Sequence, residues 1–410
     1  MASVALAIAH PLPQSEHVYI VTLRNAHAHP GEVGRSQLAR YGGHIGFVYR
    51  YGPIGYSATL TPQEARELAR DLRVESVVAD SPAEATAQTA STGIKRIFAF
   101  GNKALQFDET VNRTINADVA VIDAGFKGEG ERNIIKSVVC KTSGGSTTCK
   151  EEVGTDRSDG HGTAVASVVG AIDNKEGVVG VAPGVRLWSI KVLESTGTTE
   201  SKVVAAINWV TEHAAEIEVA NMSIGCGECT AAAIKTAISA AVGAGVVFVV
   251  AAGNENLNVN KNGYAANPNA IIVSGVADYD GKPEFEAASL WTPNCGAKKL
   301  NEGEEKVGED DERYSRSDWG ELVDIAAPAV CIRTLAPGGG LFYWTGTSFA
   351  APEVAGAAAI LAEHENPETL SDVNEISETL KGNGNFGWVD TSADGFWEPM
   401  LDLSNEKVFK

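Results

Sequence analysis

From residue 117 to residue 276 the chain keeps one rhythm: a short apolar run, a turn, a stretch rich in small residues, then another apolar run. The apolar runs are A-D-V-A-V-I (117–122), V-R-L-W-S-I-K-V-L (185–193), E-V-A-N-M-S-I (218–224), V-V-F-V-V-A-A (246–252) and A-I-I-V-S-G-V (270–276). Between them lie helix-like segments at 161–170, 201–215 and 229–244, the last two dense in alanine. Strands this apolar are buried on both faces, and strands that alternate with helices pair in parallel. The expectation is an α/β fold with a mainly parallel, doubly wound sheet flanked by helices. Such a sheet places an active site at the carboxyl ends of its strands.

A second, smaller unit precedes it. Residues 18–23, 45–51, 56–60 and 74–79 read as strands, and T-P-Q-E-A-R-E-L-A-R-D-L (61–72) as a helix. Thr61 is the N-cap, Pro62 opens the helix, and Glu64 stands three residues after the cap, the pattern of a capping box. This is an α+β unit of about 65 residues, marginal for an independent core. Residues 81–93 are small, polar and unpatterned, and read as an exposed linker open to proteolysis. Residues 1–16 contain V-A-L-A-I-A without a basic flank and read as a short leader or the remnant of a signal peptide.

Composition narrows the function. The chain has 410 residues, is 44% hydrophobic and carries a net charge of −20, which speaks against a nucleic-acid partner. No apolar run approaches the roughly 18 residues of a membrane span. Six cysteines, Cys140, Cys149, Cys226, Cys229, Cys295 and Cys331, suit three disulfides in an oxidising compartment. Cys140 and Cys149 bracket T-S-G-G-S-T-T, which could close as a stapled loop. Cys226-Gly-Glu-Cys229 reads as a short local bridge rather than a zinc site, because no second ligand pair sits at matching spacing. Pairing is left open by the sequence. The charge-rich 296–316 region, with G-E-E-K-V-G-E-D-D-E-R at its core, reads as a solvated loop rather than an ion or partner site.

Four residues could carry chemistry. Asp123 ends a buried strand and is, taken alone, a turn-former. His161 stands between two glycines at a helix start, which leaves its ring accessible. Asn254 follows V-V-F-V-V-A-A-G and is either a turn residue or an amide donor for an oxyanion. Ser348, in G-T-S-F-A-A-P (346–352), opens a long apolar helix as an N-cap or as a nucleophile in the field of that helix. The order aspartate, histidine, serine on an alternating α/β pattern separates this chain from the α/β-hydrolase and chymotrypsin arrangements.

Taken together, V-I-D-A-G (121–125), D-G-H-G-T (159–163), G-V-V-G-V-A-P (177–183), N-M-S-I-G (221–225), A-A-G-N (251–254), V-D-I-A-A-P (323–328) and G-T-S-F-A-A-P (346–352) resemble the subtilisin-like serine peptidases, the proteinase K branch above all. The resemblance implies a secreted, monomeric endopeptidase made as a zymogen. Its triad would be Asp123, His161 and Ser348, and its oxyanion hole Asn254 with the Ser348 amide. Ser223, Ile224 and Gly225 would pair with substrate backbone, and Ala251, Ala252 and Gly253 would face them across a pocket suited to an apolar or aromatic P1 side chain. It further implies an inhibitor-type propeptide over residues 17–86, cut near 86–87, which inhibits and assists folding of the catalytic part, 87–410. Partners would be protein and peptide substrates. No cofactor is needed for the chemistry. A structural calcium is conceivable at Asn174, although its expected partner carboxylate does not align: Glu129 and Glu131 are near, and Arg132 falls at the simple offset. Glu353 stands where the family commonly has histidine, and a carboxylate early in a helix would suit the dipole. A pseudopeptidase scaffold and a narrow processing protease are the rival readings.

Overall fold

The computed structural model describes residues 17–24, 29–49, 54–79, 88–110, 114–126, 132–152, 160–226, 231–261, 263–283, 307–392 and 394–410. The chain divides into two compact units, Met1–Glu84 and Ala85–Lys410.

In the first unit, β1 (His17–Leu23), β2 (His44–Tyr49), β3 (Gly55–Leu60) and β4 (Val74–Ala79) form an antiparallel sheet in the order β2-β3-β1-β4. Two helices accompany it, α1 (Pro30–Tyr41) and α2 (Pro62–Leu68). The capping box is present: Thr61 accepts from the Glu64 amide while Glu64 accepts from the Thr61 amide. The sequence reading had no helix at α1, which lacks a side-chain cap. It forms through tertiary contact. At Gly34 a Cβ would lie 2.8 Å from the Tyr56 ring, so the glycine lets the helix settle on β3.

The second unit is built on a nine-stranded sheet. Its elements are α3 (Thr92–Arg96), β5 (Asp118–Asp123), β6 (Ile134–Ser143), β7 (Ser146–Glu151), α4 (His161–Gly170), β8 (Arg186–Lys191), α5 (Glu200–Glu212), β9 (Val219–Met222), α6 (Ala232–Gly243), β10 (Val247–Ala251), β11 (Ile271–Ala277), β12 (Glu312–Arg313), β13 (Ile325–Pro328), β14 (Ile332–Leu335), β15 (Leu341–Trp344), α7 (Thr347–Glu365) and α8 (Leu370–Asn383). The order is β12-β11-β10-β9-β5-β8-β6-β7, with β13 also on β11 and β14–β15 a separate hairpin. The pairs from β6 through β8, β5, β9 and β10 to β11 are parallel. Every residue of β5, β9, β10 and β11 is buried, as covering on both faces requires. The chain leaves β5 toward β8 on one side and returns to β9 on the other. This is a topological switch point, and a crevice opens there beyond the strand ends.

One local reading holds and is sharpened, and two need correction. The segment between the cysteines is a hairpin, β6–β7, that extends the main sheet; Cys140 and Cys149 face each other in register and are disulfide-bonded. Its turn is Gly144-Gly145, both with positive φ, as a two-residue hairpin favours. Residues 88–93 are not loose linker: Gln88 donates to the Ile172 carbonyl, and Ser91 caps α3. The charge-rich region is only partly solvated. Residues 284–306 lie outside the description, but Asp310, Asp311 and Arg313 are buried.

Candidate functional site

Three strand ends and two helix starts converge at the switch point. Asp123 is the last residue of β5, fully buried. The chain then turns through Gly125, whose φ is +79°. His161 opens α4, and its flanking glycines have a packing reason. A Cβ on Gly162 would lie 2.3 Å from the Gly125 carbonyl, and one on Gly160 would strike Pro337 at 2.4 Å. Only glycine brings the start of α4 this close to the turn after β5.

The result is a hydrogen bond of 2.8 Å between His161 Nδ1 and Asp123 Oδ1. The carboxylate requires the proton on Nδ1, so Nε2 is the nitrogen left as a base. Asp123 Oδ1 also accepts from the Ala124 amide at 2.6 Å. The imidazole is braced edge-on by Trp344 at 5.7 Å and Phe349 at 5.5 Å between centroids. Phe349 is the neighbour of Ser348, so the ring sits at the mouth of α7.

Ser348 is the second residue of α7, a helix whose first sixteen residues are almost all buried. Gly346 precedes it with φ of +145°, and a Cβ there would meet Asn254 Oδ1 at 3.3 Å. Pro352 lies inside α7 and has no N–H to give the Ser348 carbonyl four residues earlier. That carbonyl accepts from the Ser223 hydroxyl instead, at 2.9 Å. The Ser223 hydroxyl in turn accepts from Asn221 Nδ2 at 3.0 Å. Ser348 Oγ lies 3.4 Å from the Ser223 carbonyl, which accepts from it.

Asn254 follows β10. Its Oδ1 accepts from the Thr347 amide at 2.9 Å and from the Thr347 hydroxyl at 3.3 Å. An amide N–H can only meet oxygen, so this fixes the orientation of the side chain. The donating end, Nδ2, is the end available to a developing oxyanion.

A cavity of about 400 Å³ adjoins Ser348, lined by Ile224, Gly225, Cys226, Ala251, Gly253, Asn254, Glu255, Thr347 and Ser348. Of the residues assigned to substrate by resemblance, Ile224, Gly225, Ala251 and Gly253 are on this wall. Ser223 and Ala252 are not: the first supports α7, and the second is tied to the Val273 carbonyl. Residues 223–225 form no backbone ladder among the described residues, so their edge is open to an added strand. The sequence reading missed Glu255, which accepts from the Asn254 amide and brings a carboxylate to the wall, and the two rings that hold His161. For two of them the signal is adjacency, since Glu255 follows Asn254 and Phe349 follows Ser348; no local pattern marks Trp344.

The remaining candidates are placed as follows. Cys226 and Cys331 are also disulfide-bonded, while Cys229 and Cys295 lie outside the described residues. Asn174 Oδ1 accepts from the Glu176 amide at 2.7 Å, and Glu129 and Glu131 lie outside the description. Glu353 is not a carboxylate soothed by a helix terminus. It lies in the second turn of α7, fully buried, and neither oxygen has a hydrogen-bond partner. Burial, and then the nearby Asp278, hold its carboxyl well above the usual range.

Comparison with known proteins identifies the family. Residues 115–388 match the family model of the Subtilase family, and residues 18–86 match that of the Peptidase inhibitor I9 family. The chain is 30% identical to subtilisin E of Bacillus subtilis (strain 168) over 353 residues, 84% of this chain and 81% of that protein. It is 33% identical to subtilisin DY of Bacillus licheniformis over 302 residues, 73% of this chain and 94% of that protein. Among solved structures, a cold adapted subtilisin-like serine proteinase superposes with a TM-score of 0.55 at 26% identity, over 76% of this chain and 98% of that one. The chain belongs to the subtilase family of serine endopeptidases and carries an inhibitor I9 propeptide domain ahead of its peptidase domain.

Proposed function

We propose that this protein is a secreted endopeptidase of the proteinase K-like branch, made as a self-processing zymogen and active as a monomer. The supporting observation is the 2.8 Å pairing of His161 with Asp123 beside the start of α7. Ser348 Oγ attacks the scissile carbonyl while His161 Nε2 takes its proton. Asp123 holds the tautomer and stabilises the imidazolium that forms. The tetrahedral oxyanion is met by Asn254 Nδ2 and the Ser348 amide. Collapse expels the leaving amine, protonated by His161, and leaves an acyl-enzyme that water then hydrolyses by the same steps. The substrate backbone adds to the edge at 223–225, and the small walls at Gly225, Ala251 and Gly253 accept an apolar or aromatic P1 side chain.

The propeptide reading places self-cleavage near residues 86–87 and assigns 17–86 to the inhibitor and 87–410 to the enzyme. The first test is intact mass and N-terminal sequencing of wild type and Ser348→Ala, both expressed in an oxidising compartment. Wild type should lose a piece ending near residue 86 while the alanine variant stays whole. If both stay whole and folded, self-processing is wrong, and a pseudopeptidase or an externally activated enzyme replaces this reading.

A further inference from the structure

Two strands outward from β9, the sheet presents another carboxylate at a strand end. Asp278 directly follows β11. Asp278, Asp280 and Asp310 each offer an oxygen, and these oxygens lie within 4.8 Å of one another. Calcium holds its oxygens at about 2.3–2.6 Å, so ligands across it stand at most about 5 Å apart. One oxygen of each residue shapes the surrounding loops. Asp278 Oδ1 accepts from Gly281 N at 2.8 Å, Asp280 Oδ1 from Lys282 N at 2.9 Å, and Asp310 Oδ1 from Tyr279 N at 2.8 Å. The second oxygens of Asp278 and Asp310 are buried and accept no hydrogen bond.

Acidic clusters are common on surfaces, but this one is not on the surface. Asp278 and Asp311 are fully buried and Asp310 is 8% exposed. The buried cation nearby is Arg96 of α3, and it is already engaged. Its Nε sits 2.7 Å from Asp311 and only 3.4 Å from Asp278, and its Nη2 donates to the Gly387 carbonyl. Lys95, whose stem lies over Gly281, makes no ion pair with the cluster among the described residues. Glu353 adds a fourth buried carboxyl next to α3, where its Oε1 fills the space a Cβ on Gly93 would need. Four buried carboxyls thus gather here, and the one guanidinium makes ion pairs with only two of them, Asp278 and Asp311, among the described residues. Buried carboxyls in excess of the cation beside them mark a site short of positive charge.

We propose that Asp278, Asp280 and Asp310 bind a hard divalent cation of the calcium class, which completes the charge that Arg96 supplies only in part. Such an ion ties the loop after β11 to the segment before β12. Among the described residues, none of the three aspartates lines the cavity beside Ser348 or shares a hydrogen bond with Asn174, whose partners are Gln88 and Glu176. The test uses the full chain carrying Ser348→Ala, which removes self-digestion, stripped with EDTA and titrated with calcium chloride by calorimetry. Asp280→Asn and Asp310→Asn should each lose one site or weaken it at least ~10-fold, while Asn174→Ala should leave that site unchanged. Terbium bound in place of calcium should luminesce through Tyr279, and both aspartate variants should lose that emission. Asp280 is partly exposed, so its variant carries the test if Asp310→Asn does not fold. Unchanged stoichiometry and affinity in both aspartate variants would overturn the proposal. So would a stripped protein that takes up no calcium and is stabilised only by acid.

Discussion

The ends of β5 and β11 both carry a buried aspartate at the same edge of one sheet, and they are furnished in opposite ways. Asp123 has a neighbourhood that answers one of its oxygens: the Ala124 amide and the His161 ring converge on Oδ1, while Oδ2 is buried without a hydrogen bond. Asp278 has Asp310, Asp311 and Glu353 for company and a share of one arginine. A charge removed from water needs a partner, either from the chain or from outside it. At β5 the chain supplies that partner, and the pair can do chemistry. At β11 the chain supplies too little, and the shortfall is itself information about what the protein takes up.

The contrast can be broken most sharply at Asp123. Asp123→Asn should cut kcat by about 10⁴, as for other Ser–His–Asp enzymes, because the asparagine amide favours the wrong histidine tautomer. Asp280→Asn, at the other strand end, should leave kcat unchanged on the same peptide substrate. Equal losses would mean that the two ends are one functional unit. Next comes Asn254→Ala, which removes one oxyanion donor. A magnitude of about 10²–10³ in kcat, with KM little changed, is known from a subtilisin and is expected here. A loss carried by KM alone would remove Asn254 from that role.

Ser223→Ala should cost about 1–3 kcal/mol in denaturant unfolding, since it leaves the Ser348 carbonyl without a donor. Adding Pro352→Ala supplies a backbone N–H at the right place, and the double variant should recover part of that loss. Failure to recover would show that the hydroxyl acts otherwise. The smallest effect should come from Glu353→Gln. A carboxyl whose folded pKa is raised retains a proton that the unfolded chain releases, so its contribution is present at low pH and fades as pH rises through the folded value. Melting temperatures of wild type and variant should lie nearest below pH 4.5 and separate in the variant's favour as pH rises above it. A constant difference across that range would refute this assignment.

Much of this was legible in the order of residues, for physical reasons that differ from place to place. The strands β5, β8, β9, β10 and β11 were visible because burial on both faces leaves unbroken apolar runs. The cap of α2 was visible because its hydrogen bonds are local. The hairpin β6–β7 was hidden because a polar, threonine-rich edge resembles a loop until its cysteines are seen in register. Asp311 was misjudged because the arginine that pairs with it stands more than two hundred residues earlier, where no local pattern can show it. Glu353 was misjudged for a related reason. Helix position was legible, but which face met another carboxylate was not.

The proline six positions into α7 has a mechanical meaning. By withholding its N–H it frees the Ser348 carbonyl, and that carbonyl is taken by Ser223, the first residue of the open edge. The surface that grips a peptide and the residue that cuts it are thereby hinged at one atom. On the proposed reading, a peptide long enough to zip along 223–225 would press on the same joint that sets the serine. Length of substrate would then register as speed of turnover and not only as tightness of grip, which is how distant binding energy reaches a reacting centre.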